Sequence, residues 1–290
     1  MSDQVLVNTA DGIELSANVF HPPTSSSATV LFTGGVGVPQ EIYQPLAEWL
    51  ASHALRCVTF DYRGSGESRR TQRAILSASL TSWASRDAAA IFEYVESNWQ
   101  EPVVLIAHSF GGQLLAISEP FQRLRAAVLI ASQCGTPRYW TGFQRLRIFL
   151  MWHFLLPIGA KLWKETPAWL GFQLPSGVAR EWASWGRQSD YLFSLFADAE
   201  RRIKRFPAPV LAYSIDDDNF APKAATDALI DRFDPMKVSK HSIDPSKSQP
   251  QRIGHFGVFK TGRTPDVWEA IHEFLVDQVS TVSSPSESAV

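Results

Sequence analysis

The chain has 290 residues, of which 45% are hydrophobic and 19% charged, the proportions of an ordinary soluble globular protein. A formal net charge of -2 leaves no global basic field to hold nucleic acid. Two cysteines, Cys57 and Cys134, are too few for a disulfide framework and read as free thiols of a reducing compartment. The length suits one large domain, or one domain with a sizeable insertion. The opening residues "MSDQVLVNTADGIEL" have neither a basic n-region nor an apolar h-region, so no signal peptide is expected and the cytoplasm is the expected location.

In chain order, "QVLVNTA" and "IELSANVF" are extended runs flanking Asp11-Gly12, a hairpin turn signal. "ATVLFTGG" is a short apolar run ending in glycines, as a buried strand would. "PQEIYQPLAEWLASH" carries Ile42, Leu46, Trp49 and Leu50 at helical spacing. "LRCVTFDYRGSGES" reads as strand and glycine turn, and "SLTSWASRDAAAIFEYVESNW" as a helix. "PVVLIAH" is a strand, "SFGGQLLAISEPF" a helix and "RAAVLIAS" a strand. Later come "APVLAYSID" (strand), "PKAATDALIDRF" (helix), "MKVSKHSI" (strand) and "TPDVWEAIHEFLVDQV" (helix). Alternating β and α units with near-continuous Val/Ile/Leu strands predict an α/β fold. Its sheet is mostly parallel, with helices on both faces and the leading hairpin as an antiparallel edge.

The alternation breaks once. Residues 135–206 show no clear strand and hold six of the ten tryptophans. The core is therefore expected over 1–134 and 207–279, with a helical, Trp-rich insertion at 135–206. Such an insertion resembles a lid, although its tryptophans would also serve as the core of a helical subdomain. The insertion is basic: residues 136–206 carry 11 Lys/Arg and 5 Asp/Glu, a net +6 that leaves -8 for the rest. That charge suits an anionic substrate, a weak membrane-surface contact, or simply a solvated helix face. "IFLMWHFLLPIGA" within it falls short of the ~20 residues of a membrane span, so it reads as a buried or interfacial helix. The serine-rich tail 280–290 is expected to be disordered.

"VVLIAHSFGG" ends an apolar run in a histidine and a serine. A strand that becomes a helix within one or two residues forces the turning residue into strained geometry and needs small neighbours two positions away. Ala107 and Gly111 stand there. Ser109 is thereby held out at the carboxyl edge of the sheet, where a helix N-terminus favours an anion. Small-x-Ser-x-Gly is a weak pattern alone; its position between a strand and a helix is what gives it meaning.

A serine nucleophile needs a base and an orienting acid. His255, in the glycine-flanked "RIGHFGVF" after the last strand, is the expected base. His21 and His53 lie in early connections, and His153 in the apolar helix. His241 sits in a strand and His272 in a helix, while His108 points to the face opposite its neighbour Ser109. The acid is expected from "DDDNFAP" at the carboxyl end of a parallel strand, with three candidates.

"FDYRGSGES", "AHSFGG" and "GHFGVF" together resemble the α/β-hydrolases, in particular their serine esterase, lipase and thioesterase branch. The resemblance covers roughly residues 5–135 and 207–279. It implies a Ser-His-Asp triad with the acid four residues before a proline. Asp218 and Pro222 reproduce that spacing, with Asp217 next in line. It also implies an oxyanion hole from the N–H groups of Phe110 and Gly35, or of Val36 if "TGGVGV" shifts by one. Ala107 and Thr33-Gly34 depart from the family's Gly and His-Gly, and Arg63 with its glycines reads as structural.

The expected chemistry is hydrolysis of an ester or thioester bearing an apolar group, through an acyl-enzyme, with no cofactor and no metal. No Cys/His set has metal spacing, and "TGGVGV" lacks the lysine of a phosphate loop. A small-molecule acyl substrate is the expected partner, with Trp152 and Trp185 as candidate contacts and the oligomeric state left open. Acyl transfer to another acceptor, a lyase or cofactor-free oxidase on the same fold, and a receptor using the pocket are the other readings.

Overall fold

The structure, a computed structural model, describes residues 2–166, 173–247 and 252–280. Trp169 and residues 281–290 of the expected tail lie outside them, while the last helix takes in Ser280.

Eight strands form one sheet: β1 (Ser2–Asn8), β2 (Glu14–Phe20), β3 (Thr29–Thr33), β4 (Arg56–Phe60), β5 (Val103–His108), β6 (Ala127–Ile130), β7 (Val210–Ile215) and β8 (Val238–Ile243). Their order is β1-β2-β4-β3-β5-β6-β7-β8. β1 pairs with β2, and β2 with β4, antiparallel; β4, β3, β5, β6, β7 and β8 run parallel. The central strands β3, β5 and β6 are buried at every position because both faces are covered. Along β5, Val103, Leu105 and Ala107 enter one core cluster, and Val104 and Ile106 the other. The first cluster takes Ile91, Phe92 and Val95 of the helix Ala88–Asn98 and Leu114 of the helix Phe110–Ile117. The second takes Leu46 and Leu50 of the helix Gln44–Ser52 and Ile271 and Leu275 of the helix Pro265–Ser280.

Parallel β3, β5, β6 and β7 deliver their following loops to a single edge of the sheet. Ser109, Gln133 and the acidic loop at 216–218 all leave strands there. Among the described residues between β6 and β7 the regular elements are helices and one β-bridge, Glu165 with Pro175. Among the described residues no helix is long and apolar enough to cross a membrane. Cys57 and Cys134 are buried and unpaired.

The turn after β4 is fastened by a buried arginine. Arg63 Nε donates to Asp87 Oδ1 at 2.7 Å and its backbone N–H to Asp87 Oδ2 at 2.8 Å. Its terminal nitrogens fork onto the two Asp11 oxygens at 2.7 and 2.8 Å. One guanidinium thus ties the first hairpin turn, the β4 turn and the helical segment at Asp87. These bonds hold the Asp11 carboxyl well below the usual carboxylate range. The guanidinium and the Asp87 carboxylate are both fully buried. Arg63→Met should therefore strand a buried charge and cost about 3–5 kcal/mol, seen as a lower urea midpoint at unchanged slope. An unchanged midpoint would show that the arginine fastens nothing.

Candidate active site

Ser109 adopts φ 53° and ψ -116°, a left-handed conformation that a side chain rarely enters, between the end of β5 and the helix Phe110–Ile117. Gly111 explains how the turn closes: a Cβ there would lie 2.1 Å from the Thr33 carbonyl oxygen. Gly35 is less tightly constrained: a Cβ there would sit 3.2 Å from Ser109 Cβ, a close but not forbidden contact. The serine is 8% exposed. Its neighbour Phe110 opens the helix, so the Phe110 N–H has no intrahelical acceptor and lies beside the serine.

His255 Nδ1 lies 2.6 Å from Asp218 Oδ2. A carboxylate only accepts, so Nδ1 carries the proton and Nε2 keeps its lone pair. Asp218 Oδ1 is held by the N–H groups of Phe220 (2.8 Å) and Ala221 (3.0 Å). Asp217 does something different: it accepts from the backbone of Ile253 at 3.0 Å and Gly254 at 2.8 Å, pinning the loop that carries His255. The neighbouring carboxylates thus divide their tasks, one facing the imidazole and one facing its loop.

Two expected roles do not fit the geometry. The Gly35 N–H donates to the Tyr43 hydroxyl at 2.9 Å, so it is committed elsewhere. Val36, one residue on, lines the cavity with Ser109 and His255, and among the described residues nothing takes up its N–H. Trp185 is buried away from the cavity, packed on Phe110, Tyr191 and Phe196. Trp152 does line the cavity, with its indole N–H donating to the Gly135 carbonyl at 2.7 Å. Trp140 and Trp182, which the sequence had not singled out as contacts, line it as well.

Sequence reasoning also passed over three supporting side chains. The Tyr43 hydroxyl accepts from Gly35, so its own hydrogen goes to His108 Nδ1 at 3.0 Å. His108 Nε2 then donates to the His255 carbonyl at 3.0 Å. Burial holds the His108 pKa well below the ordinary histidine value, which matches this neutral, doubly bonded ring. His108 does lie on the face away from Ser109, yet from there it packs behind His255, ring centroids 4.5 Å apart. The third is Gln133. Ala131 at the end of β6 has φ 50°, and two residues on Gln133 enters the cavity. Ser109 Oγ–H points to Gln133 Oε1 at a long 3.5 Å, and no Ser109–His255 hydrogen bond forms among the described residues. The sequence sets His108 aside as a base, and nothing in the local sequence flags Tyr43 or Gln133.

The cavity at Ser109 is about 50 Å³ and mostly apolar, closed over by Trp140, Ile148, Met151, Trp152, Trp182 and Tyr191 of the helical insertion. It falls well short of the ~300 Å³ where ligand pockets begin. Among the described residues no cluster of three or more His, Cys, Asp or Glu forms a metal site.

An eight-stranded α/β sheet with a strained serine at a strand–helix elbow and an Asp-oriented histidine facing one cavity defines a hydrolase-type scaffold. The chain belongs to the alpha/beta hydrolase family, whose model matches residues 30–256. Among solved structures, it is similar to the esterase domain from a Rhodothermus marinus protein, with TM-score 0.64, 17% identity and 96% and 99% of the two chains covered. Est1E from Butyrivibrio proteoclasticus aligns with the same score, identity and coverage. Among curated proteins, the polyketide transferase grgF of Penicillium sp is 26% identical over 125 residues. That match spans 42% of this chain and 42% of the relative's length.

Tyr43→Phe keeps the ring contacts but leaves the Gly35 N–H and His108 Nδ1 buried without partners. It should lower unfolding free energy by about 1–3 kcal/mol, measured by denaturant titration. Full stability in that variant would mean the relay carries no weight.

Proposed function

We propose that the protein is a serine hydrolase acting on an ester or thioester bond through an acyl-enzyme. The observation that carries this reading is the 2.6 Å bond from His255 to Asp218, in a cavity shared by His255 and the strained Ser109. Ser109 Oγ attacks the carbonyl carbon as His255 Nε2 removes its proton. Asp218 holds the tautomer and balances the imidazolium. The N–H groups of Phe110 and Val36 receive the developing oxyanion, each worth about 3 kcal/mol in sites of this type. His255 returns the proton to the leaving group, then activates water to release the acid.

The hydroxyl has one hydrogen to give. Its contact with Gln133 is long and weak, so the hydroxyl turns to His255 with little loss once substrate is seated. The apolar lining favours an acyl or aromatic group, and the cavity's small volume requires the helical insertion to shift like a lid on entry. A small-molecule acyl substrate remains the proposed partner. A second reading, transfer of the acyl group to an alcohol or amine, is favoured by the likeness to a protein named polyketide transferase. Product analysis with an added alcohol separates the two, since only transfer yields a new ester.

Fluorophosphonate labelling tests the nucleophile. Ser109→Ala should abolish labelling and turnover of p-nitrophenyl esters while the melting temperature stays close to wild type. Labelling retained in that variant would move the nucleophile elsewhere.

The two carboxylates give a sharper comparison. Asp218→Asn should lower kcat by about 10⁴-fold through the wrong imidazole tautomer. Asp217→Asn keeps one acceptor for the loop N–H groups and should lose nearer tenfold. The opposite ranking would reassign the acid.

A further inference from the structure

The first long helix of the insertion turns its apolar surface outward. Helical backbone runs unbroken through Gly142–Leu150, a π-helical stretch Met151–Leu155 and Leu156–Leu162. At ~1.5 Å per residue it is about 30 Å long. Only a narrow stripe, with Ile148, Trp152 and Leu156 at four-residue spacing, is buried. Phe143 is 76% exposed and Leu162 62%, with Leu146, Phe149, Phe154 and Ile158 also open to solvent between them. Monomeric soluble proteins rarely leave so large an apolar surface uncovered.

Charge says what covers it. From Thr136 to Lys164 there is no Asp or Glu, while Arg138, Arg145, Arg147, Lys161 and Lys164 are basic. Arg145, Lys161 and Lys164 are exposed and form no ion pair among the described residues. We infer that the outer face of residues 142–162 docks on an anionic lipid bilayer. The helix lies in the plane of the surface, its phenylalanines and leucines entering the acyl boundary and its basic groups meeting headgroup phosphates. A second copy of the chain is a poorer occupant, since a two-fold contact would bring the same unpaired cations face to face. None of this depends on the proposed chemistry at Ser109.

The test is co-sedimentation of the full chain with vesicles. One set is phosphatidylcholine alone, and the other phosphatidylcholine and phosphatidylglycerol in equal parts. Binding is expected to the second set. It should weaken on raising salt from ~0.1 M to ~1 M, as the Debye length shrinks from ~10 to ~3 Å. The double variant Phe143→Ser/Phe154→Ser should bind at least about tenfold more weakly, and Arg145→Ser/Lys161→Ser should lose the preference for the anionic set. Both pairs are surface changes, and an unchanged melting temperature certifies the fold. No binding to anionic vesicles, or equal binding by the double Phe variant, overturns the inference. So does a dimer in sedimentation velocity that the Phe variant dissolves, because the face then belongs to a second copy.

Discussion

The site hangs on one strained residue. Ser109 at φ 53° lets β5 become a helix without an intervening loop, and that abruptness is what lifts the side chain clear of the sheet. Left-handed geometry costs a non-glycine residue about 1–2 kcal/mol, and the surroundings hold it there. Gly111 closes onto the β3 backbone, Gly35 passes against the serine, and the Ser109 N–H is fixed to the Ile130 carbonyl at 3.0 Å. Three adjacent strands therefore determine one torsion angle. The same closure leaves the Phe110 N–H beside the hydroxyl, so the proposed nucleophile and half of the proposed anion site come from a single turn.

Around that turn, buried polar groups couple the loops. The chain Gly35–Tyr43–His108–His255 links the loop after β3 to the loop after β8 through the end of β5. Every member is buried, and each hydrogen-bonding role follows from the one before it. Asp217 and Asp218 secure the same histidine, through its loop and through its ring. The imidazole is thus located from three directions, through its ring, its loop and its own carbonyl.

The helical insertion works on two faces. Its inner stripe closes the cavity with Ile148, Met151 and Trp152, and its outer face is apolar and basic. Trp152 stands at the junction, inside the π-helical stretch, with its ring against Gly186, where a Cβ would come within 2.3 Å. Such stretches occur often at functional positions. The cavity wall and the exposed apolar face consequently share the same few turns of helix.

The sequence by itself determined the strands, their order of appearance, the elbow at Ser109 and the histidine and aspartate that meet behind it. The strands and the elbow are local properties, apolar runs and small residues two from a turn, while the choice of Asp218 within its loop came from the resemblance to the α/β-hydrolases. The tertiary structure alone decided which N–H remains near the serine, because Tyr43 reaches back from a helix to occupy Gly35. It alone separated Trp152, which lines the cavity, from Trp185, which packs on Phe110, Tyr191 and Phe196. Gln133 and the role of His108 became visible only when β3, β5 and β6 lay side by side, and the Arg63–Asp87–Asp11 cluster only when the β1–β2 turn met the turn after β4. Periodicity along a chain states that a side chain is buried. Which partner it meets depends on strands and helices tens of residues away, and that is set by the order of the sheet.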